Sequence, residues 1–411
     1  MYLCGTVQIP LISWVARQYR AAFEGLSQEA WVLATVMFVN RAGTMVLPFL
    51  GLYLREGLGY SLADTGWIMA FYGVGSMVGA LTGGALSDRF GSYRVQQFAL
   101  FTGAFLFLGL SFLTEFWSLA FGVFILTSVA DMVRPANSSA VFEYAKEGNV
   151  TRAFSLNRMA INLGFSVGPA AAGIIAAWSY QGLFWADAAT CAAAGLLFVG
   201  FFRKRRPRRE RERPVTPGRS PYRDRGALAF SALVLLFALA FFQLVSTMPL
   251  YYRDVFNLQE EQIGLLLGFN GLLIVAVEMV FVNWAHNRIA PRHAIAIGVL
   301  VMALSFASLN WATGLPGLYA SMLVLSVSEI LAMPFMISWI TLRAGDQSRG
   351  RYLGLYAATY ALGHILAPLL GTRVIEHFGY STLYYGVAAL SVLTAIGFSQ
   401  LPPATGRQSQ P

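Results

Sequence analysis

Four carboxylates stand inside stretches otherwise built from Leu, Val, Ile, Phe and Ala: Asp131, Asp187, Glu278 and Glu329. Cationic or titratable neighbours occur in similar stretches, at Arg41 (preceded by the amide Asn40), Arg134, Arg158 and His364. An ionised acid at the centre of an apolar span carries a penalty of about 2.5–3.5 kcal/mol, so each needs a counter-ion, a watery cavity or a proton. The chemistry open to such groups is proton exchange or direct compensation of a charged ligand. Asp131 and Arg134 lie at i and i+3 in TSVADMVRPANSSA, on one helix face, where a local ion pair can form. Glu329 and His364 each sit near the middle of an apolar run; if their faces meet, carboxylate and imidazole can pass a proton near neutral pH. Glu278 has His286 and Arg288 nearby in sequence, which points to local pairing, and Asp187 in GLFWADAATC reads as a capping or packing residue.

These groups do not assemble into an enzyme's set. The sequence contains no HExxH and no P-loop, its 4 histidines are scattered, and its one G-x-S-x-G match, GFSVG (164–168), lies inside a long apolar run rather than at a strand-to-helix turn, so it makes no hydrolase elbow. No catalytic residue, metal or cofactor is expected, and energy from ATP hydrolysis is disfavoured.

The elements that must position the charges are apolar helices. The chain of 411 residues is 56% hydrophobic and 12% charged, whereas soluble domains carry about 25% charged residues. Runs near 20 residues, the length that crosses about 30 Å of hydrocarbon, recur twelve times. They lie at about 31–54, 63–86, 95–114, 117–138, 152–177, 182–202, 227–251, 262–285, 293–313, 316–341, 351–373 and 380–401. An even number of spans puts both termini on one side, and 23 of the 29 Lys and Arg fall in or near the segments sharing that side. The positive-inside rule makes it the cytoplasm. Arg55, Arg253 and Arg373 flank the other side. The formal charge of +9 therefore reflects topology and contact with anionic lipid, not nucleic acid. Residues 1–30 lack a signal-peptide pattern; LISWVARQYRAAF within them reads either as an interfacial amphipathic helix or as a frayed tail. Cys4 and Cys191 fall in different environments, so no disulfide is expected.

The segment 203–225 holds 11 Lys and Arg among 23 residues and several prolines, and neither lipid nor a core accepts it. It reads as a cytoplasmic linker over 203–226. It joins a six-helix unit at 31–202 to another at 227–401, with a tail at 402–411. The two units resemble each other. Arg134-Pro135 aligns with Met333-Pro334 and LGFSVGP (163–169) with LGHILAP (362–368) at an offset of 199, while GWIMAFYG (66–73) aligns with GLLLGFNG (264–271) at 198. Agreement within one residue at separate places indicates a duplication.

Two motifs carry a family resemblance. GGALSDRFGSYR (83–94) resembles the signature loop of the major facilitator superfamily through Gly84, Asp88, Arg89, Gly91 and Arg94. Gly84 would let a second helix approach and Gly91 would allow a tight turn, and the resemblance implies a latch on the cytoplasmic side. The equivalent loop NWAHNRIAPRH is degraded, with His286 where Asp88 would stand. GFSVGPAAAG (164–173) resembles the superfamily's antiporter motif through Gly164, Gly168, Pro169 and Gly173, a helix-packing hinge, although Ala172 replaces a common glycine. FGVFILTSVADMV before Pro135 has no Arg near Val123, so the proton-relay role of an Arg in that place is not transferred.

The resemblance covers about residues 31–401 and is nearest to the bacterial drug:proton antiporter branch. It implies an all-α membrane protein of twelve transmembrane helices in two six-helix pseudo-symmetric bundles, lodged in the cell inner membrane with a ligand site near the midplane. In that fold the first, fourth and fifth spans line one cavity, which would bring Arg41 and Arg158 to Asp131. The implied activity is proton-coupled export of small organic or amphipathic compounds by alternating access, with small-molecule substrate, protons and lipid as partners, no nucleic acid, and a monomer. Asp131 and Glu329 are the expected proton carriers and Arg41 the expected contact for an anionic group. Proton-coupled uptake of an organic solute or peptide is the alternative, and a non-transporting receptor a further one. Phe38, Phe49, Tyr53, Phe71, Phe242, Met248, Tyr251, Tyr252, Trp339 and Tyr360 are candidates to line an apolar cavity.

Overall fold

The computed structural model describes residues 25–146, 149–205, 220–285 and 288–404, all of them helix, turn or loop without a strand. The N-terminal segment, most of the basic linker, His286 and the last residues of the tail lie outside the described residues. In chain order the first half comprises α1 (Gln28–Ala42), α2 (Val46–Leu52), α3 (Leu62–Phe90), α4 (Ser92–Leu110), α5 (Phe116–Ala130), α6 (Val133–Tyr144), α7 (Val150–Trp178) and α8 (Tyr180–Phe202). The second comprises α9 (Arg225–Phe241), α10 (Gln243–Ser246), α11 (Met248–Phe256), α12 (Glu260–Ala285), α13 (Pro291–Leu309) and a helical run, α14 (Gly314–Gln400).

Among the described residues, ten helical segments are long and apolar enough to cross a membrane. One of them, Arg351–Gln400, has 50 residues, about 75 Å of helix, which exceeds a single crossing. It is divided at Gly379, whose φ of 80° breaks the run. Ser92–Leu110 is a further apolar helix, less apolar than the ten because its first turns carry Arg94, Gln96 and Gln97. With these two the expected twelve spans are accounted for. The 87-residue α14 is folded back on itself: Phe230 stacks on Trp339 with centroids 4.4 Å apart, and meets Tyr356 at 6.5 Å and Phe398 at 5.8 Å.

Local chemistry sets the ends of these helices. Ser27, Ser61 and Ser179 accept from the amides of Ala30, Asp64 and Gly182, satisfying donors that a helix start leaves open. Gly91 ends α3 at φ 87°, the tight turn expected of it. Asp224 caps α9 through the amides of Gly226 and Ala227, at 3.0 and 3.3 Å, and also receives Arg343 at 2.6 Å and Tyr352 Oη at 3.0 Å. Burial alone would raise this carboxyl; hydrogen bonds from Arg343 and Tyr352 outweigh it and hold Asp224 below the usual carboxylate value.

Large apolar side chains cover the outside, among them Phe105, Phe112, Ile174, Leu265 and Leu393. That is the surface a lipid solvent requires, and the helices satisfy their own backbone groups beneath it. The molecule is thus an all-α, multi-pass membrane protein.

Within the first half, Gly75, Gly79 and Gly83 of α3 lie against the fourth span: added Cβ atoms would stand 2.0 Å from Thr127 Oγ1, 2.6 Å from the Ser128 carbonyl oxygen and 2.6 Å from Met132 Cα. The close approach expected at Gly84 belongs instead to Gly83, one residue earlier, since a Cβ at Gly84 would meet only Pro135 at 3.9 Å.

Between the halves the contacts repeat with the duplication. A Cβ on Gly66 would strike Thr372 Oγ1 at 2.2 Å and the Pro368 carbonyl at 3.1 Å; one on Gly264 would strike the Pro169 carbonyl at 2.4 Å and Gly173 Cα at 2.9 Å. Likewise Gly73 abuts Ile365 Cα at 3.0 Å and Gly271 abuts Ser166 Cα at 2.6 Å. Every partner in one seam is displaced by 198 or 199 residues from its counterpart in the other. The repeated motifs therefore contact each other, in a second–eleventh span seam and a fifth–eighth span seam.

Candidate functional site

The site begins at a break in the first span. Gly43 ends α1 where a Cβ would lie 1.7 Å from Thr190 Oγ1, so only glycine fits against the sixth span. The chain restarts at α2, and its exposed amides are taken by Asp187: Met45 N donates to Oδ1 at 3.0 Å and Val46 N to Oδ2 at 3.1 Å. A carboxylate is the suitable acceptor at a helix N-terminus. Asp187 thereby fixes the break just beyond Asn40 and Arg41.

Arg41 is buried, 5% exposed, and approaches Asp131 Oδ1 at 3.7 Å. Arg134 reaches the same oxygen through Nε at 3.2 Å, the expected i, i+3 pair, and Ser76 Oγ donates to Oδ2. Arg158 does not join this cluster. It turns the other way and pairs with Glu278 of the second half, which also accepts from Asn162 Nδ2 at 3.1 Å. This corrects the expectation that Arg158 meets Asp131. Arg158 lies on α7 and Glu278 on the facing α12, so the two find each other across the boundary between halves, while His286, the expected neighbour of Glu278, lies outside the described residues.

Glu329 and His364 also find other partners. Asn270 Nδ2 donates to Glu329 Oε1 at 2.8 Å and to Ser326 Oγ at 3.0 Å. His364 lies flat on Phe242, centroids 4.2 Å apart at 11°, with Tyr72 edge-on at 5.5 Å. Both residues line the same cavity without forming the carboxylate–imidazole pair that their mid-span positions suggested.

That cavity, about 430 Å³, lies between the halves. The first half contributes Thr44, Leu47, Arg134, Asn162 and Phe165; the second contributes Phe241, Phe242, Asn270, Glu329, Tyr360 and His364. Mostly apolar walls with a few placed polar groups are what a small-molecule site requires. Arg134, whose side chain is 52% exposed, lines it. Arg41, expected to meet an anionic group, is instead occupied with Asp131 behind the wall. Asn40 borders a separate 40 Å³ cavity shared with Asp131, Asp187, Tyr72 and Cys191, which is room for water. Of the ten aromatic and Met candidates only Phe242 and Tyr360 reach the main cavity; Phe49, Met248, Tyr252 and Trp339 are core residues.

The two sequence motifs occupy different places. Gly164 and Gly168 abut Arg41 and Ala42 of α1, while Pro169 and Gly173 form the seam with α12 described above. Asp88, Arg89 and Arg94 are exposed around the Gly91 turn.

Sequence reasoning missed the far ends of the spans, opposite the linker. Arg55 Nη1 lies 2.5 Å from Asp254 Oδ2, and Arg253 meets Glu56 at 2.6 Å and Glu260 at 3.3 Å. Tyr180 donates to Glu56 and Glu260, and Tyr380 to Asp254. Arg55-Glu56 and Arg253-Asp254 are related by the repeat offset of 198, so the two ion pairs are copies of one crossed contact. That offset was the signal available beforehand.

Two pseudo-symmetric helix bundles enclosing a polar-studded midplane cavity define a class, the membrane transporters built by duplication. The Major Facilitator Superfamily model matches residues 32–368 and 279–411, and the chain belongs to that family. Among its relatives, the tetracycline resistance protein, class C, of Escherichia coli is 26% identical over 84% of this chain and 88% of its own length. A Na(+), Li(+), K(+)/H(+) antiporter of Planococcus maritimus is 23% identical over 87% of this chain and 91% of its own. A crystal structure of the peptide transporter POT in complex with sulfate superposes with a TM-score of 0.79 at 16% identity, covering 92% of this chain and 94% of that one.

Proposed function

We propose that the protein is a proton-coupled secondary transporter of the inner membrane that exports small organic or amphipathic compounds, with both termini cytoplasmic. The observation that carries the reading is Glu329, a buried acid on the wall of the 430 Å³ cavity, held by Asn270 and by no cation among the described residues. A buried charge without a counter-ion is costly. Glu329 is therefore the group that carries a proton when the cavity is empty and releases it as substrate enters or the wall becomes wet. Asp131, gripped by Arg41, Arg134 and Ser76, holds the inner parts of the first, second and fourth spans together. It becomes a second carrier only in a state that loosens that grip.

The crossed ion pairs at the far ends support a state closed to the outside, with the linker-side rim, where Arg158 is 48% exposed, facing the cytoplasm. Export is supported by the relatives whose names describe drug resistance and cation/proton antiport. The test uses inside-out vesicles energised to an acid interior. Lipophilic cations, organic acids and zwitterions are added in turn while lumenal pH is followed. Compound-dependent proton leak that is absent in protein-free vesicles supports antiport. Leak only with the gradient reversed assigns uptake, and no compound-dependent flux in either direction removes proton coupling.

A further inference from the structure

We infer that the central cavity selects zwitterions: compounds with a cationic amine and an anionic group at opposite ends of a flat apolar body. The inference rests on the transporter reading and names its substrate class.

The argument is a charge count on the two walls. On the first-half wall Arg41 and Arg134 share one carboxylate oxygen, Asp131 Oδ1. Asp187, the other buried acid of this half, gives its oxygens to the amides of Met45 and Val46, so the two guanidiniums have one carboxylate between them and one positive charge is left in excess. Of the two, Arg134 is the one in the cavity wall; it engages Asp131 through Nε, and its side chain is half exposed. Its forked end is suited to a carboxylate. On the second-half wall Glu329 uses Oε1 for Asn270, a neutral amide, and its other oxygen receives no hydrogen bond among the described residues. When ionised, that wall carries one uncompensated negative charge. The remaining pair, Arg158 with Glu278, cancels itself.

A singly charged ligand would satisfy one wall and leave the other uncompensated. A zwitterion satisfies both, and its amine can take the place of the proton on Glu329. Between the poles the lining is aromatic: Phe165 on one side, with Phe241, Phe242 and Tyr360 on the other. Those faces suit a flat ring body rather than a sugar or a small inorganic ion.

The test uses four probes sharing one biphenyl body: the aminomethyl-biphenyl-carboxylic acid zwitterion, its methyl ester (cation), its N-acetyl form (anion), and the doubly blocked neutral compound. Binding to the full-length purified protein is measured by calorimetry at neutral pH. The expected result is that the zwitterion binds at least about tenfold tighter than either singly charged probe. Glu329→Gln should then make zwitterion and anion equivalent, and Arg134→Gln should make zwitterion and cation equivalent. Arg134→Lys, which keeps the charge, should restore part of the preference and guards against a merely misfolded Gln variant. Equal or tighter binding of the cationic ester overturns the proposal. Binding of none of the four overturns it too. In either case the vesicle assay above decides separately whether the protein transports, so failure of the substrate class is distinguishable from failure of the transporter reading.

Discussion

Arg253 holds Glu56 through two guanidinium nitrogens, Nε at 2.6 Å and Nη2 at 3.0 Å, across the boundary between the halves. Its counterpart at the repeat offset, Arg55, holds Asp254 at 2.5 Å. Partly exposed pairs contribute about 0.2–1 kcal/mol each. The double variant Glu56→Gln/Asp254→Asn should therefore shift the protein towards an outward-open state by about two- to thirtyfold. Spin labels at Ser61→Cys and Glu261→Cys, in a background lacking Cys4 and Cys191, would report it as a longer far-side distance. An unchanged distance distribution would remove the crossed pairs from the closure.

Glu329→Gln keeps the side chain's size and its contact with Asn270 but carries no exchangeable charge. Transport driven by a proton gradient should fall at least about tenfold, while exchange of labelled for unlabelled substrate persists. If gradient-driven transport survives, the proton travels by another group. Asp131→Asn is the control. In the state described here it should first loosen the Arg41 and Arg134 cluster, lowering stability as well as transport.

The two seams respond differently to bulk. Gly264→Val would drive a Cβ into the Pro169 carbonyl, 2.4 Å away, and backbone has little room to yield; Gly66→Val meets first a Thr372 hydroxyl, which can rotate. Overpacking of this kind costs about 1–3 kcal/mol. We expect Gly264→Val to impair far-side closure and transport more than Gly66→Val does, read by the same spin-label pair. Equal effects would show that both seams yield alike.

Asp224 links the starts and ends of the seventh, tenth and eleventh spans through Arg343 and Tyr352. Removing one partner of a buried pair costs about 3–5 kcal/mol, so Asp224→Asn should lower the melting temperature in detergent. Because the folded carboxyl is held below its unfolded value, its contribution is complete above about pH 4 and is lost as pH falls through the folded value. The gap between wild type and variant should thus be constant from neutral pH down to about 5 and close in stronger acid. A gap that already narrows between pH 7 and 5 would contradict the pairing.

How much of this was legible in the residues alone depended on distance along the chain. Asp131 and Arg134 are three residues apart, and helical geometry sufficed to pair them. The duplication was readable from GWIMAFYG and GLLLGFNG, and so was the membrane class. Arg158 and Glu278 are separated by 120 residues, and no local rule says that the fifth span faces the eighth. The stacking of His364 on Phe242, 122 positions away, was out of reach for the same reason. The crossed pairs were within reach: applying the offset of 198 to Arg55-Glu56 gives Arg253-Asp254. Read as topology markers alone, Arg55 and Arg253 do not reveal their complementarity to Asp254 and Glu56.

The glycine seams have a mechanical meaning. One joins the second and eleventh spans and the other the fifth and eighth. A rigid body pinned at two separated points keeps a single rotation, about the line through the pins. With no side chains to jam them, these contacts would act as a pair of bearings. The far-side ion pairs and the Arg158–Glu278 pair are all made at once in the structure, so on the transporter reading a mouth opens only by parting its own pairs. An ancestral duplication, by making every seam twice, supplied the second bearing without which the halves would swivel freely.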